Sequence, residues 1–262
     1  MNKKADSSEN VVKLKQGSSA DAPARRKGIY LLPNLLTTGA LFAGFYAVLS
    51  GFTGQFELAA IAIFAAMIFD GLDGRVARMT NTQSDFGVQY DSLSDMVSFG
   101  VAPAVVAYGW GVSDLGKLGL AAAFVYASCA ALRLARFNVQ AESSDGKVFT
   151  GLPSPAAAAL VAGFVWSTYE LAPSVALSVL GAVLTAAAGL LMVSNFKYPS
   201  FKEVDLRGKV PFIVILSVVM GFVVITIDPP RILFMLAVFF SFSAPLIWLA
   251  KKLGFNAGPK AD

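Results

Sequence analysis

Residues 69–95 read FDGLDGRVARMTNTQSDFGVQYDSLSD, and they set Asp70, Asp73, Asp91 and Asp95 within a chain otherwise apolar enough for the interior of a membrane. An acidic side chain near the middle of a spanning helix opposes insertion by about 2.5 to 3.5 kcal/mol, so four facing lipid would oppose it by on the order of 10 kcal/mol. They must face something else. Spacings of three and four place each pair on one face of a helix. TNTQSD between the pairs is turn-forming, with Ser84 or Asp85 as the N-cap of the next helix. Two antiparallel helices then bring four carboxylates together. Oxygen donors without a nitrogen or sulfur ligand suit a hard divalent cation, Mg²⁺ or Mn²⁺, and four negative charges suit two such ions. The same cluster would also suit the ion path or proton relay of a transporter.

The rest of the chain must position that cluster inside a bilayer. Of its 262 residues 56% are hydrophobic and only 15% charged, and mean hydropathy is +0.64, the composition of a polytopic membrane protein. Apolar runs long enough to cross about 30 Å of hydrocarbon recur over approximately 30–51, 56–79, 86–109, 116–137, 153–170, 174–194, 209–227 and 231–250. The expected fold is all-α, a transmembrane helix bundle of about eight spans. YELAPS (169–174) leaves only a short turn between the fifth and sixth, so six or seven spans is the alternative. With eight, all but Lys117 and Arg231 of the 21 lysines and arginines fall on one side. The positive-inside rule then puts both termini, and the aspartates, at the cytoplasmic face of a bacterial inner membrane. Residues 1–28 are polar and read as a disordered basic tail, 29–252 as the membrane domain and 253–262 as a short tail.

Several classes drop out. There is no histidine, which excludes imidazole acid/base chemistry, phosphohistidine and histidine-containing zinc sites. The single cysteine, Cys129, has no partner for an internal disulfide and reads as a small packed side chain. Neither a Walker-type loop nor G-x-G-x-x-G is present. No nucleic-acid partner is expected.

Read in full, the stretch is D-x-x-D-G-x-x-A-R-x8-G-x3-D-x3-D, formed by Asp70, Asp73, Gly74, Ala77, Arg78, Gly87, Asp91 and Asp95. It resembles, without departure, the signature of the CDP-alcohol phosphotransferase family of integral membrane enzymes. The resemblance implies two divalent cations on the aspartates, clamping the diphosphate of a CDP-linked lipid. It implies Asp70, Asp73 and Asp91 as principal ligands, and Asp95 as a ligand that is also the base for an alcohol. Gly74, Ala77, Arg78 and Ser84 would then cradle the cytidine side, and PNLLT (33–37) would add Asn34 and Thr37, a looser match in which both could equally be interfacial polar residues. A homodimer is implied as well.

The acceptor must be read elsewhere. ALRLARFN (131–138), GLPSPAAAA (151–159) and LMVSNFKYPSFK (191–202) resemble segments of membrane-embedded phosphatidylserine synthases. A second, unrelated type of that enzyme depends on histidine, which is absent here. The resemblance implies CDP-diacylglycerol and L-serine as substrates, and CMP with phosphatidylserine as products. Arg133 and Arg136, three apart on one helix face, are planar donors suited to a serine carboxylate. They would equally attract glycerol 3-phosphate or inositol phosphate, and either could be a positive-inside anchor.

Overall fold

Every apolar run of the sequence folds as helix, and polar or proline-containing breaks end each one. In the computed structural model residues 31–143, 150–171, 174–198 and 212–253 are described. The two polar tails, apart from Leu253, and residues 199–202 lie outside them. Helices α1 (Leu31–Phe52), α2 (Phe56–Thr80) and α3 (Asp85–Asp95) come first. A π-helical stretch, Met96–Val101, carries α3 directly into α4 (Ala102–Trp110). A 3₁₀ turn (Val112–Leu115) leads to α5 (Lys117–Ser143), followed by α6 (Ser154–Thr168), α7 (Val175–Val193), α8 (Phe212–Ile227) and α9 (Pro229–Lys252). Among the described residues there is no strand, only an isolated antiparallel bridge between Thr150 and Lys197.

The breaks have ordinary chemical causes. Asn81 takes the left-handed conformation (φ 51°) that ends α2, its N–H and that of Thr82 closing on the carbonyls of Arg78 and Ala77. Ser84 then caps α3, its Oγ accepting from the Gly87 N–H at 3.1 Å. Ser174 and Asp228 do the same for α7 and α9.

Helices α1, α5, α7 and α9 are each long and apolar enough to cross a bilayer on their own. Among the described residues the helices of the other apolar runs are not, for visible reasons. The last turns of α2 carry Asp70, Asp73, Arg75 and Arg78, α6 and α8 are only 15 and 16 residues long, and the 85–110 run is broken into three pieces.

Small residues set the packing. α1 lies along α2, α5 along α7, and α6 along α9. α1 buries Ala40, Ala43, Gly44 and Ala47, and α2 buries Ala59, Ala60, Ala62 and Ala66, which lets backbones approach where lipid offers no hydrophobic contrast. A side chain on Gly44 would collide with Ser98, and a Cβ on Gly189 would sit 2.8 Å from the Cα of Tyr126. Cys129 is buried and unpaired, a packed small residue as expected.

Two helix-interior prolines remove backbone donors, and in each case a tyrosine replaces the lost bond. Pro103 has no N–H for the carbonyl four residues back, Phe99, which instead accepts from the Tyr126 hydroxyl at 2.8 Å. Pro245 leaves the Ser241 carbonyl in the same position, and the Tyr198 hydroxyl donates to it at 2.7 Å.

Candidate active site

The carboxylates of Asp70, from the second half of α2, and of Asp91 and Asp95, from the last turns of α3, converge. Asp70, Asp91 and Asp95 each bring one oxygen to within 4.8 Å of the others. Two hydrogen bonds fasten the end of α3 and the π-helical stretch to α1: Ser94 Oγ donates to the Thr37 carbonyl at 3.2 Å and Ser98 Oγ to the Ala40 carbonyl at 3.0 Å. Asp95 thus sits at the junction of α3 with the π-helical stretch, a distortion common at functional sites.

Asp73 stands apart from the trio. It is buried, and its Oδ2 accepts from Thr37 Oγ1 at 2.7 Å, although it remains within electrostatic reach of Asp91. The structure therefore gathers three of the four expected ligands into one cluster and sets the fourth a helical turn away, its orientation fixed by α1.

A cleft of about 340 Å³ opens beside Asp73 and Asp91. Asn34, Thr37, Gly74, Ala77, Arg78 and Ser84 all line it, so the six residues expected to hold the nucleotide side share one wall system. Gly74 matters by what it lacks. A Cβ there would meet nothing nearer than Arg78 Nη1 at 3.8 Å and would project into open space. Arg75, by contrast, is exposed and does not line the cleft. Thr82, Gln83 and Phe137 also line it and were not singled out from sequence. The position of Thr82 and Gln83, in the turn joining two carboxylate-bearing helices, was the available signal, while Phe137 comes from α5 and had none.

The expected acceptor residues do not line this cleft. Arg133 lies within electrostatic reach of Asp95, donates from Nη1 to Ser154 Oγ at 2.9 Å, and has a buried Nε with no partner among the described residues. Arg136 donates from Nη1 to the Val193 carbonyl at 3.3 Å. Next to them, Asn138 accepts from Ser92 Oγ at 3.1 Å and donates to Gln89 Oε1 at 3.4 Å, tying α5 to α3 on either side of Asp91.

The donor set fits a hard divalent cation. Three carboxylate oxygens converge without a soft ligand, and Asp95 Oδ1 is buried with no hydrogen-bond partner among the described residues. The arrangement can hold an anionic phosphate through a cation on the carboxylates, with Arg133 within electrostatic reach of Asp95 to receive a second anionic group.

Residues 30–194 match the CDP-alcohol phosphatidyltransferase family. The chain is 40% identical over 198 residues to a CDP-diacylglycerol–serine O-phosphatidyltransferase of Helicobacter pylori, covering 74% of this chain and 83% of that one. It is 35% identical to the Bacillus subtilis protein of that name, over 66% of this chain and 92% of the other. To an archaetidylserine synthase of Methanothermobacter thermautotrophicus it is 37% identical, over 64% and 69%. The crystal structure of a Mycobacterium tuberculosis phosphatidylinositol phosphate synthase superposes with a TM-score of 0.45 at 20% identity, over 63% of this chain and 84% of that one.

Proposed function

The chain belongs to the CDP-alcohol phosphatidyltransferase family, and from that premise we propose that it transfers the phosphatidyl group of CDP-diacylglycerol to the hydroxyl of L-serine, giving phosphatidylserine and CMP. The observation that carries this reading is the convergence of Asp70, Asp91 and Asp95, of which Asp91 also lines the cleft and Asp95 lies within electrostatic reach of Arg133.

In this reading the cytidine diphosphate lies in the cleft, against Asn34, Gly74, Ala77 and Arg78, with Ser84 and Thr37 holding the walls. Thr37 acts chiefly by orienting Asp73, since its hydroxyl is already engaged there. Asp70, Asp91 and Asp95, with Asp73 beside them, would hold Mg²⁺ or Mn²⁺. Two bound ions would neutralise the diphosphate and stabilise charge on the attacking and leaving oxygens. Arg133 and Arg136 receive the serine carboxylate. Asp95 takes the proton of the serine hydroxyl, whose oxygen forms a bond to the phosphorus bearing diacylglycerol as the bond to CMP breaks. Among the described residues no covalent nucleophile stands out, and a single displacement is expected.

The eight-span topology with both termini cytoplasmic, the cytoplasmic-facing site and a homodimer belong to the same proposal. Supplying CDP-diacylglycerol and radiolabelled serine to the purified protein, with thin-layer analysis of the lipid, tests it. Labelled phosphatidylserine and an equal amount of CMP are expected. Label entering lipid only from glycerol 3-phosphate or inositol phosphate would replace the acceptor, and no alcohol-dependent CMP release at all would leave the carboxylates to an ion-transport reading.

A further inference from the structure

Both arginines end on two short stretches that lie side by side. Ser154 closes the stretch beginning at Thr150, and Val193 opens the one running to Tyr198. The stretches are paired: Gly151 N–H donates to the Phe196 carbonyl at 2.9 Å and Thr150 bridges to Lys197, while Leu152 N–H donates at 2.9 Å to the Leu191 carbonyl at the end of α7. Gly151, with φ of +88° and its Cα packed against the Met192 carbonyl, admits no side chain there.

Helix α9 holds the second stretch in place. Phe196 packs edge-on to Trp248 with centroids 5.8 Å apart, and Tyr198 lies against Phe240 at 5.6 Å. The buried Tyr198 hydroxyl fills the gap that Pro245 leaves at the Ser241 carbonyl. Burial pushes the Tyr198 phenol up to about 12, so it remains a donor at every working pH. α9 lies outside residues 30–194, the part of the chain that matches the family.

We propose that Tyr198 is a positioning residue for the acceptor: seated in the proline gap of α9, it fixes the 193–198 stretch and so aims Arg133 and Arg136. The acceptor's identity as a carboxylate-bearing alcohol rests on the function proposed above, while the clamp itself does not.

Two variants of the full-length protein in nanodiscs test it. Tyr198→Phe keeps the ring and loses only the hydroxyl. Pro245→Ala returns an N–H to α9, drawing the Ser241 carbonyl back into the helix ladder while making α9 more regular. In both, amide exchange at Gly151 and Leu152 should quicken by about tenfold, because a local clamp has opened. In both, the KM for serine should rise by about tenfold with the KM for CDP-diacylglycerol within about twofold, since a charge-assisted contact is loosened rather than lost. The double variant should be no worse than either single one, as both remove the same contact. Unchanged exchange in Tyr198→Phe overturns the clamp. Faster exchange with both KM values unmoved, or rising together, overturns the acceptor role. Should the wild-type protein use another alcohol, the serine reading falls, and the same exchange and KM comparison with that alcohol decides the clamp.

Discussion

Single atoms decide much at the cleft proposed for the donor. Gly74 and Gly189 are both helical glycines, yet the same substitution should act in opposite ways at the two. In Gly74→Ala the new methyl enters open cleft, so the helix gains about 1 kcal/mol from propensity while the methyl occupies ligand space. Thermal stability should hold or rise and the KM for CDP-diacylglycerol should climb by about tenfold, measured by scanning calorimetry and steady-state CMP release. In Gly189→Ala the methyl meets the Tyr126 backbone at 2.8 Å, which overpacks the α5–α7 contact by about 1 to 3 kcal/mol, so stability should fall first. If both variants lose stability alike, Gly74 is a packing residue and the cleft is not the donor site. The residue types and spacing of the carboxylates, the six cleft residues and the Ser84 cap were all legible in the sequence. The separation of Asp73 from the other three was not, because it depends on Thr37 reaching across from another helix.

Helix boundaries followed from apolar run length and caps, but the internal irregularity of the 85–110 run did not. MVSFGV carries no signal for a π-helical turn. One bond to it is remote: the Phe99 carbonyl, four residues before Pro103, accepts from the Tyr126 hydroxyl, 27 residues away. Tyr198 forms the same device with Pro245, reaching a carbonyl 43 residues from itself, and a periodicity argument has no access to such pairs. Tyr126→Phe should therefore do more than remove one hydrogen bond. An unpaired buried carbonyl costs about 1 to 3 kcal/mol, read as a lowered Tm. Since Asp95 sits at the start of the π-helical stretch, kcat should also fall, by up to about a hundredfold for a shift near 1 Å, with helix content by circular dichroism unchanged. A lowered Tm with normal kcat would show that the stretch carries no catalytic geometry.

Across the described residues of the whole molecule, lysine and arginine are sorted by end. Arg75, Arg78, Arg133, Arg136, Lys197, Lys251 and Lys252 lie at the end holding the cleft and its aspartates, while the opposite end has only Lys117 and Arg231 beside Glu57, Asp114, Glu170 and Asp228. There Tyr169 donates to both Glu57 and Glu170, and Arg231 pairs with Asp228 at 3.0 Å. This asymmetry supports the orientation proposed from sequence, although span number is less legible because short or charged helices such as α6 and α2 count only once packed among others. The convergence of Asp70, Asp91 and Asp95 from two helices has a further meaning for the life of the protein. Like charges there push α2 and α3 apart, and only the folded chain offers a cation all three oxygens at once. With the divalent ion of the proposed function bound, mass action would make it a staple of the bundle, adding about 2.7 kcal/mol when present at a hundredfold over its dissociation constant. The idle enzyme is thus the fragile one, and depletion of the ion would be felt in the lifetime of the protein as well as in its turnover.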